Sequence, residues 1–108
     1  MYFDYQMVTI IKNQLGSSTL VWELISFTQG RNRRLCLNQL ADGPKTPSMI
    51  SNNTKEHLSH ISRALRELSK KGLVVCVTPK ASKNRIYRIT KLGSEVISQL
   101  NKIEKKIK

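Results

Sequence analysis

The chain has 108 residues, enough for one domain around one core and too few for two. Its 19 Lys and Arg against 7 Asp and Glu leave a net charge of +12 and a pI near 10.2, which implies a polyanionic partner: nucleic acid first, an anionic membrane surface second. The membrane reading is disfavoured, because no run approaches the roughly 18 apolar residues of a span and no segment sets a Lys-rich face against Trp and Phe.

The excess charge is local. Residues 1–30 carry Lys12 against Asp4 and Glu23, a net of −1, whereas residues 31–91 carry 14 Lys and Arg against Asp42, Glu56 and Glu67, a net of +11. The opening MYFDYQMVTI holds an acid and no basic stretch, unlike a secretory signal, and a cytoplasmic protein is expected. Residues 2–15 space their apolar positions more like a helix than a strand, and Gly16, Ser17 and Ser18 close that segment.

TLVWELISFT, residues 19–28, places Leu20, Val21, Leu24, Ile25 and Phe27 at helical spacing. Gly30 interrupts, and RNRRLCLNQLAD begins a second helix with Cys36, Leu37 and Leu40 inward, ended by Gly43 and Pro44. Thr46-Pro47 starts a third, short helix over 47–53, a hydroxyl capping free N–H groups and a proline standing where none is needed; Ile50 is its core contact.

HLSHISRALRELSKKGLV, residues 57–74, is the most informative stretch. Leu58, Ile61, Leu65 and Leu68 recur at steps of three, four and three, so they share one helix side, with Ala64 at its edge. The opposite side holds Ser59, Arg63, Arg66 and Lys70, flanked by His60 and Ser62, with Glu67 among them. Lys70 and Lys71 suit the negative end of the helix dipole and Gly72 ends the helix.

The period then changes. LVVCVT and RIYRIT are β-rich runs with Val75, Val77, Tyr87 and Ile89 available to one face, joined by the basic loop PKASKN. Thr90 can cap a last helix whose stripe is Leu92, Val96, Ile97, Leu100, Ile103 and Ile107. Such an isolated amphipathic helix lacks core to cover its stripe, so these six residues are expected at a homodimer interface, the alternative being that the helix folds back on the N-terminal segment. Cys36 and Cys76 sit in apolar runs with no CxxC spacing and are expected to be buried thiols.

The run TPSMISNNTKEHLSHISRALRELSKKGLVVCVTPKASKNRIYRITKLG resembles the winged helix-turn-helix of archaeal-type, MarR- and ArsR-like transcriptional regulators over residues 46–93, with 31–45 as the preceding helix. The specific parts are HISRALREL followed by KGLV, and RIYRITKLG closing the wing. The resemblance implies a mostly α fold of the α+β class, with a two-stranded hairpin wing and a C-terminal amphipathic helix. It divides the chain into an N-terminal segment at 1–18, a DNA-binding domain at 19–92 and a dimerisation helix at 93–108. It makes the helix at about 56–71 the recognition helix, which enters the major groove. The family pattern has a small residue, usually glycine, in the turn and an apolar one after it, where this chain has Lys55 and Glu56. A lysine has no ease in a left-handed turn, so a rebuilt turn or an earlier helix start is expected, with Glu56 facing a cytosine or capping the helix.

On that frame Arg63 is placed to contact guanine bidentately. Ser59, His60 and Ser62 are nearer the end that enters the groove, whereas Arg66 and Lys70 suit phosphates or solvent. Lys80, Lys83 and Arg85 in the wing suit the minor groove or flanking phosphates, Arg85 alternatively bracing the hairpin. Lys45, Thr46 and Ser48 at the start of the short helix, and Lys55 in the turn, complete the expected DNA contacts. No P-loop, GxSxG or HExxH is present and the carboxylates are scattered, so an enzyme is not expected. No cofactor and no metal is expected either: His57 and His60 are three apart but have no Cys or carboxylate at ligand spacing beside them. The expected function is a homodimeric, sequence-specific regulator on double-stranded DNA, with no effector legible; the alternative is an architectural or assembly module that coats DNA or docks in a larger complex.

Overall fold

The computed structural model describes residues 19–107; the helix expected over 2–15 lies outside them. Five helices and two strands follow in the order α1 (Thr19–Thr28), α2 (Arg31–Ala41), α3 (Pro47–Thr54), α4 (Leu58–Lys70), β1 (Val74–Cys76), β2 (Tyr87–Ile89) and α5 (Lys91–Ile107). The architecture is mostly helical with one antiparallel hairpin, the winged helix-turn-helix arrangement expected.

Local chemistry accounts for most boundaries. Buried Thr28 turns its hydroxyl back to the Ile25 carbonyl at 3.0 Å, and Gly30 follows in extended conformation as the N-cap of α2. The Thr46 Oγ1 accepts from the Met49 amide at 3.2 Å with Pro47 next in line, so α3 begins where the sequence places it. The Thr90 Oγ1 likewise accepts from the Gly93 amide at 3.0 Å and caps α5.

The turn between α3 and α4 is not rebuilt. Lys55 adopts the left-handed conformation itself, at φ 63° and ψ 21°, which costs a non-glycine residue about 1 kcal/mol or more. Two bonds hold it there: the Lys55 amide donates to the Ser51 carbonyl at 2.9 Å, and the Ser51 hydroxyl donates across the turn to the Glu56 carbonyl at 2.6 Å. The helix beyond starts later than expected, at Leu58.

That late start corrects one member of the aliphatic row. Ile61, Ala64, Leu65 and Leu68 are buried, but Leu58 is 47% exposed, because the first turn of α4 overhangs the core layer that begins at Ile61. The hairpin carries a second correction. Its register pairs Val74 with Ile89 and Cys76 with Tyr87, so the inward set is Val74, Cys76, Tyr87 and Ile89, while Val75 and Val77 face out. Strand side chains alternate, and a shift of one residue exchanges the faces. Cys76, on the inward face at the end of β1, is half-buried rather than buried, whereas Cys36 is fully enclosed.

Lys45 forms an isolated antiparallel bridge to the free edge of β2, its amide donating to the Tyr87 carbonyl at 3.1 Å and its carbonyl accepting from the Tyr87 amide at 2.9 Å. The loop before α3 is thereby tied to the wing. The core forms where α2 packs on α4, with α3 closing it on one side and α5 on another through contacts with α1 and α2. Val96, Ile97 and Leu100, expected at a subunit interface, are buried in this core, so the chain itself supplies the cover assigned to a second copy. Leu92 is 36% exposed.

Candidate nucleic-acid interface

A groove of about 380 Å³ runs between the start of α3, the outer flank of α4 and the wing tip. Pro47 and Ser48 form one wall, Leu58, Ser59, Ser62 and Arg66 the second, and Ser82, Asn84 and Arg85 the third, with Tyr87 in the lining. Of the residues expected from sequence, Ser48, Ser59, Ser62, Arg66 and Arg85 come together here. The start of α3 adds the positive end of its helix dipole.

The wing tip is ordered by its own bonds. Arg85 Nε donates to the Ala81 carbonyl at 2.8 Å, so this guanidinium braces the loop while lining the groove. The Ile86 amide donates to Thr78 Oγ1 at 2.9 Å, and Asn84 takes a left-handed φ of 54° at the bend. Lys80 and Lys83 are exposed on the same loop.

Other expected residues stand elsewhere. Lys45 is half-buried, its Nζ donating to the Gln39 carbonyl at 2.6 Å at the negative end of α2; this ammonium secures a loop instead of lining the groove. Thr46 is half-buried and its Oγ1 serves as the cap described above. Lys55 is exposed in the left-handed turn. His60 and Arg63 are exposed on the opposite flank of α4, lining a second cleft of about 360 Å³ with Gly30, Arg31, Asn32 and Arg33.

Two arginines that the sequence reading passed over organise this second cleft. Arg33 donates from Nε and Nη2 to the two carboxylate oxygens of Glu67 at 3.3 and 3.2 Å, and from Nη1 to the Phe27 carbonyl at 3.0 Å. Its guanidinium also lies 4.0 Å from the centroid of the Phe27 ring. The hydrogen bonds from Arg33 hold the Glu67 carboxyl below its ordinary value of 4.5, and the charges of Arg33, Arg63 and Lys70 act in the same direction. Arg31 pairs with Glu56 at 2.7 Å, so Glu56 neither caps α4 nor is left free for a base. The residues were visible as RNRR and two distant acids, but Arg33 and Glu67 are 34 residues apart and their pairing is set by the crossing of α2 and α4.

His57 and His60 meet edge to face at 5.3 Å between ring centroids. Among the described residues no group of three or more His, Cys, Asp or Glu could hold a metal ion, and no helix is long and apolar enough to cross a membrane.

Solved structures with this arrangement fix the fold. Superposition on a MarR family transcription regulator gives a TM-score of 0.66 at 24% identity, over 95% of this chain and 71% of that one. S. aureus MepR in complex with DNA gives 0.64 at 15% identity, over 96% of this chain and 86% of that one. The chain has the winged-helix fold of MarR-family regulators. Lactococcus lactis ZitR superposes with a TM-score of 0.63 at 17% identity over 71% of this chain, which spans 53% of the ZitR chain. No protein-family model matches the sequence, and no curated protein sequence does.

Proposed function

We propose that the chain is a transcription regulator that binds double-stranded DNA in a sequence-specific manner as a homodimer. The observation that carries this reading is the convergence of three elements on one basic groove: the capped start of α3, the Ser59, Ser62 and Arg66 flank of α4, and the wing bearing Lys80, Lys83 and Arg85. In this reading the first turns of α4 enter the major groove, while the start of α3 and the wing hold phosphates on either side. Arg66 and Lys83 neutralise backbone; Arg63, exposed farther round α4, contacts a base edge. The dimer draws on exposed Leu92 and on Ile103 and Ile107, which continue its stripe in the sequence.

Competition binding between a selected duplex and random DNA tests the proposal. Arg63→Ala weakens the selected duplex by about 1 to 3 kcal/mol and random DNA much less. Equal loss on both assigns Arg63 to backbone and favours an architectural role. Light scattering of the full chain reports the dimer, and a mass of one chain at the binding concentration overturns that part.

A further inference from the structure

We infer that Leu58 is a specificity-determining residue that reads the C5-methyl group of a thymine in the major groove. The inference rests on the DNA-binding reading above and deepens it. Leu58 opens α4 and is 47% exposed, although its spacing fits the buried aliphatic row. It lines the groove together with Ser59, Ser62 and Arg66, and Ser48 of α3 lines the same groove. A large aliphatic group in a polar, basic groove gains nothing from water, and its neighbours fit a polyanion rather than an apolar peptide or a second copy of this surface, which the +12 charge would repel. On duplex DNA the apolar group that protrudes into the major groove is the thymine methyl, and side chains at the first turn of a groove-entering helix are those that reach base edges. Ser59 and Ser62 beside it carry hydroxyls that suit either a donor or an acceptor edge, so Leu58 adds a discrimination that hydrogen bonding alone does not supply.

Replacing thymine by deoxyuridine removes the methyl and leaves charge and hydrogen-bonding edges unchanged. Binding of the full chain is measured on a selected duplex, on copies with each thymine replaced in turn, and on random DNA, for the unaltered protein and for Leu58→Ala and Leu58→Met. The expected result is one position in each half-site where deoxyuridine weakens the unaltered protein by about fourfold, the value of one buried methyl. That sensitivity disappears in Leu58→Ala and persists in Leu58→Met, while all three proteins melt together. Uniform tolerance of deoxyuridine, equal sensitivity in Leu58→Ala, or duplex binding without any preferred sequence overturns the inference and leaves DNA binding standing. Absence of salt-dependent binding to any duplex overturns both.

Discussion

Gly93 stands where α5 passes over the chain entering β1, and a single methyl there tests how tightly the wing is docked. A Cβ on Gly93 would intrude on the Leu73 carbonyl oxygen and lie 2.9 Å from Ile89 Cγ1 and 3.0 Å from the Leu73 carbonyl carbon. Carbon and carbonyl oxygen settle no closer than about 3.3 Å, so in Gly93→Ala the start of α5 must withdraw from Leu73 by about 1 Å. The Leu73 atoms are backbone, and no rotamer change relieves that contact. Withdrawal strains the bonds that Thr90 donates to the Leu73 carbonyl, from its amide at 3.0 Å and its hydroxyl at 3.1 Å. At about 1 kcal/mol for each bond, plus about 1 to 3 kcal/mol for overpacking, the expected loss is about 3 to 5 kcal/mol. For a domain of this size that lowers the midpoint of thermal unfolding by about 12 to 40 °C. Circular dichroism melts and urea titrations measure it, with Ser94→Ala, at an exposed neighbouring position, as a control expected within about 0.5 kcal/mol of the unaltered protein. A Gly93→Ala protein within about 1 kcal/mol of the original would show that α5 slides freely over β1 and would refute the close docking.

Lys55→Gly relieves the left-handed turn but frees the unfolded chain, so stability changes by less than about 1 kcal/mol, whereas Lys55→Val, β-branched at a φ of 63°, loses about 1 to 3 kcal/mol in urea titrations. The Glu67 pKa is depressed on folding, so its contribution is present above the ordinary value of 4.5 and is lost as pH falls through the lower folded value; Glu67→Gln flattens the acid limb of stability below about pH 4.5, and an unchanged limb refutes the pairing with Arg33. Burial pushes the Cys36 thiol up to about 12, so a maleimide at neutral pH labels Cys76 first and Cys36 only as the protein unfolds, as mass spectrometry of the labelled peptides would show. Leu100, fully enclosed by its own chain, gives an unfolded protein rather than a folded monomer when changed to Asp, and a cooperative melt in that variant would count against this packing.

What the sequence determined by itself is what depends on neighbours a few residues away. The Thr46-Pro47 and Thr90 caps, the stops at Gly43 and Gly72, and the helical spacing of Ile61, Leu65 and Leu68 are local signals, and each stands where it was expected. The winged helix-turn-helix arrangement, and with it the grouping of Ser59, Ser62, Arg66 and Arg85, followed from the family resemblance carried by HISRALREL, KGLV and RIYRITKLG. Tertiary structure decided whatever depends on how one element lies against another. The phase of β1 was not fixed by VVCV, since either set of alternate residues is apolar enough to face inward until pairing with Tyr87 and Ile89 selects Val74 and Cys76. Helical spacing put Leu58 in the core row, but burial needs a partner at that height on the helix, and the core starts one turn later. The cover for Val96, Ile97 and Leu100 comes from α1 and α2, and the partners of Arg31 and Arg33 come from the turn before α4 and from α4 itself. Lys45, read as a phosphate ligand at the start of α3, is held at the end of α2 because the Gln39 carbonyl there accepts from its Nζ. Period and capping are properties of one segment, whereas burial and ion pairing are properties of two, and only the folded chain brings the second segment into place.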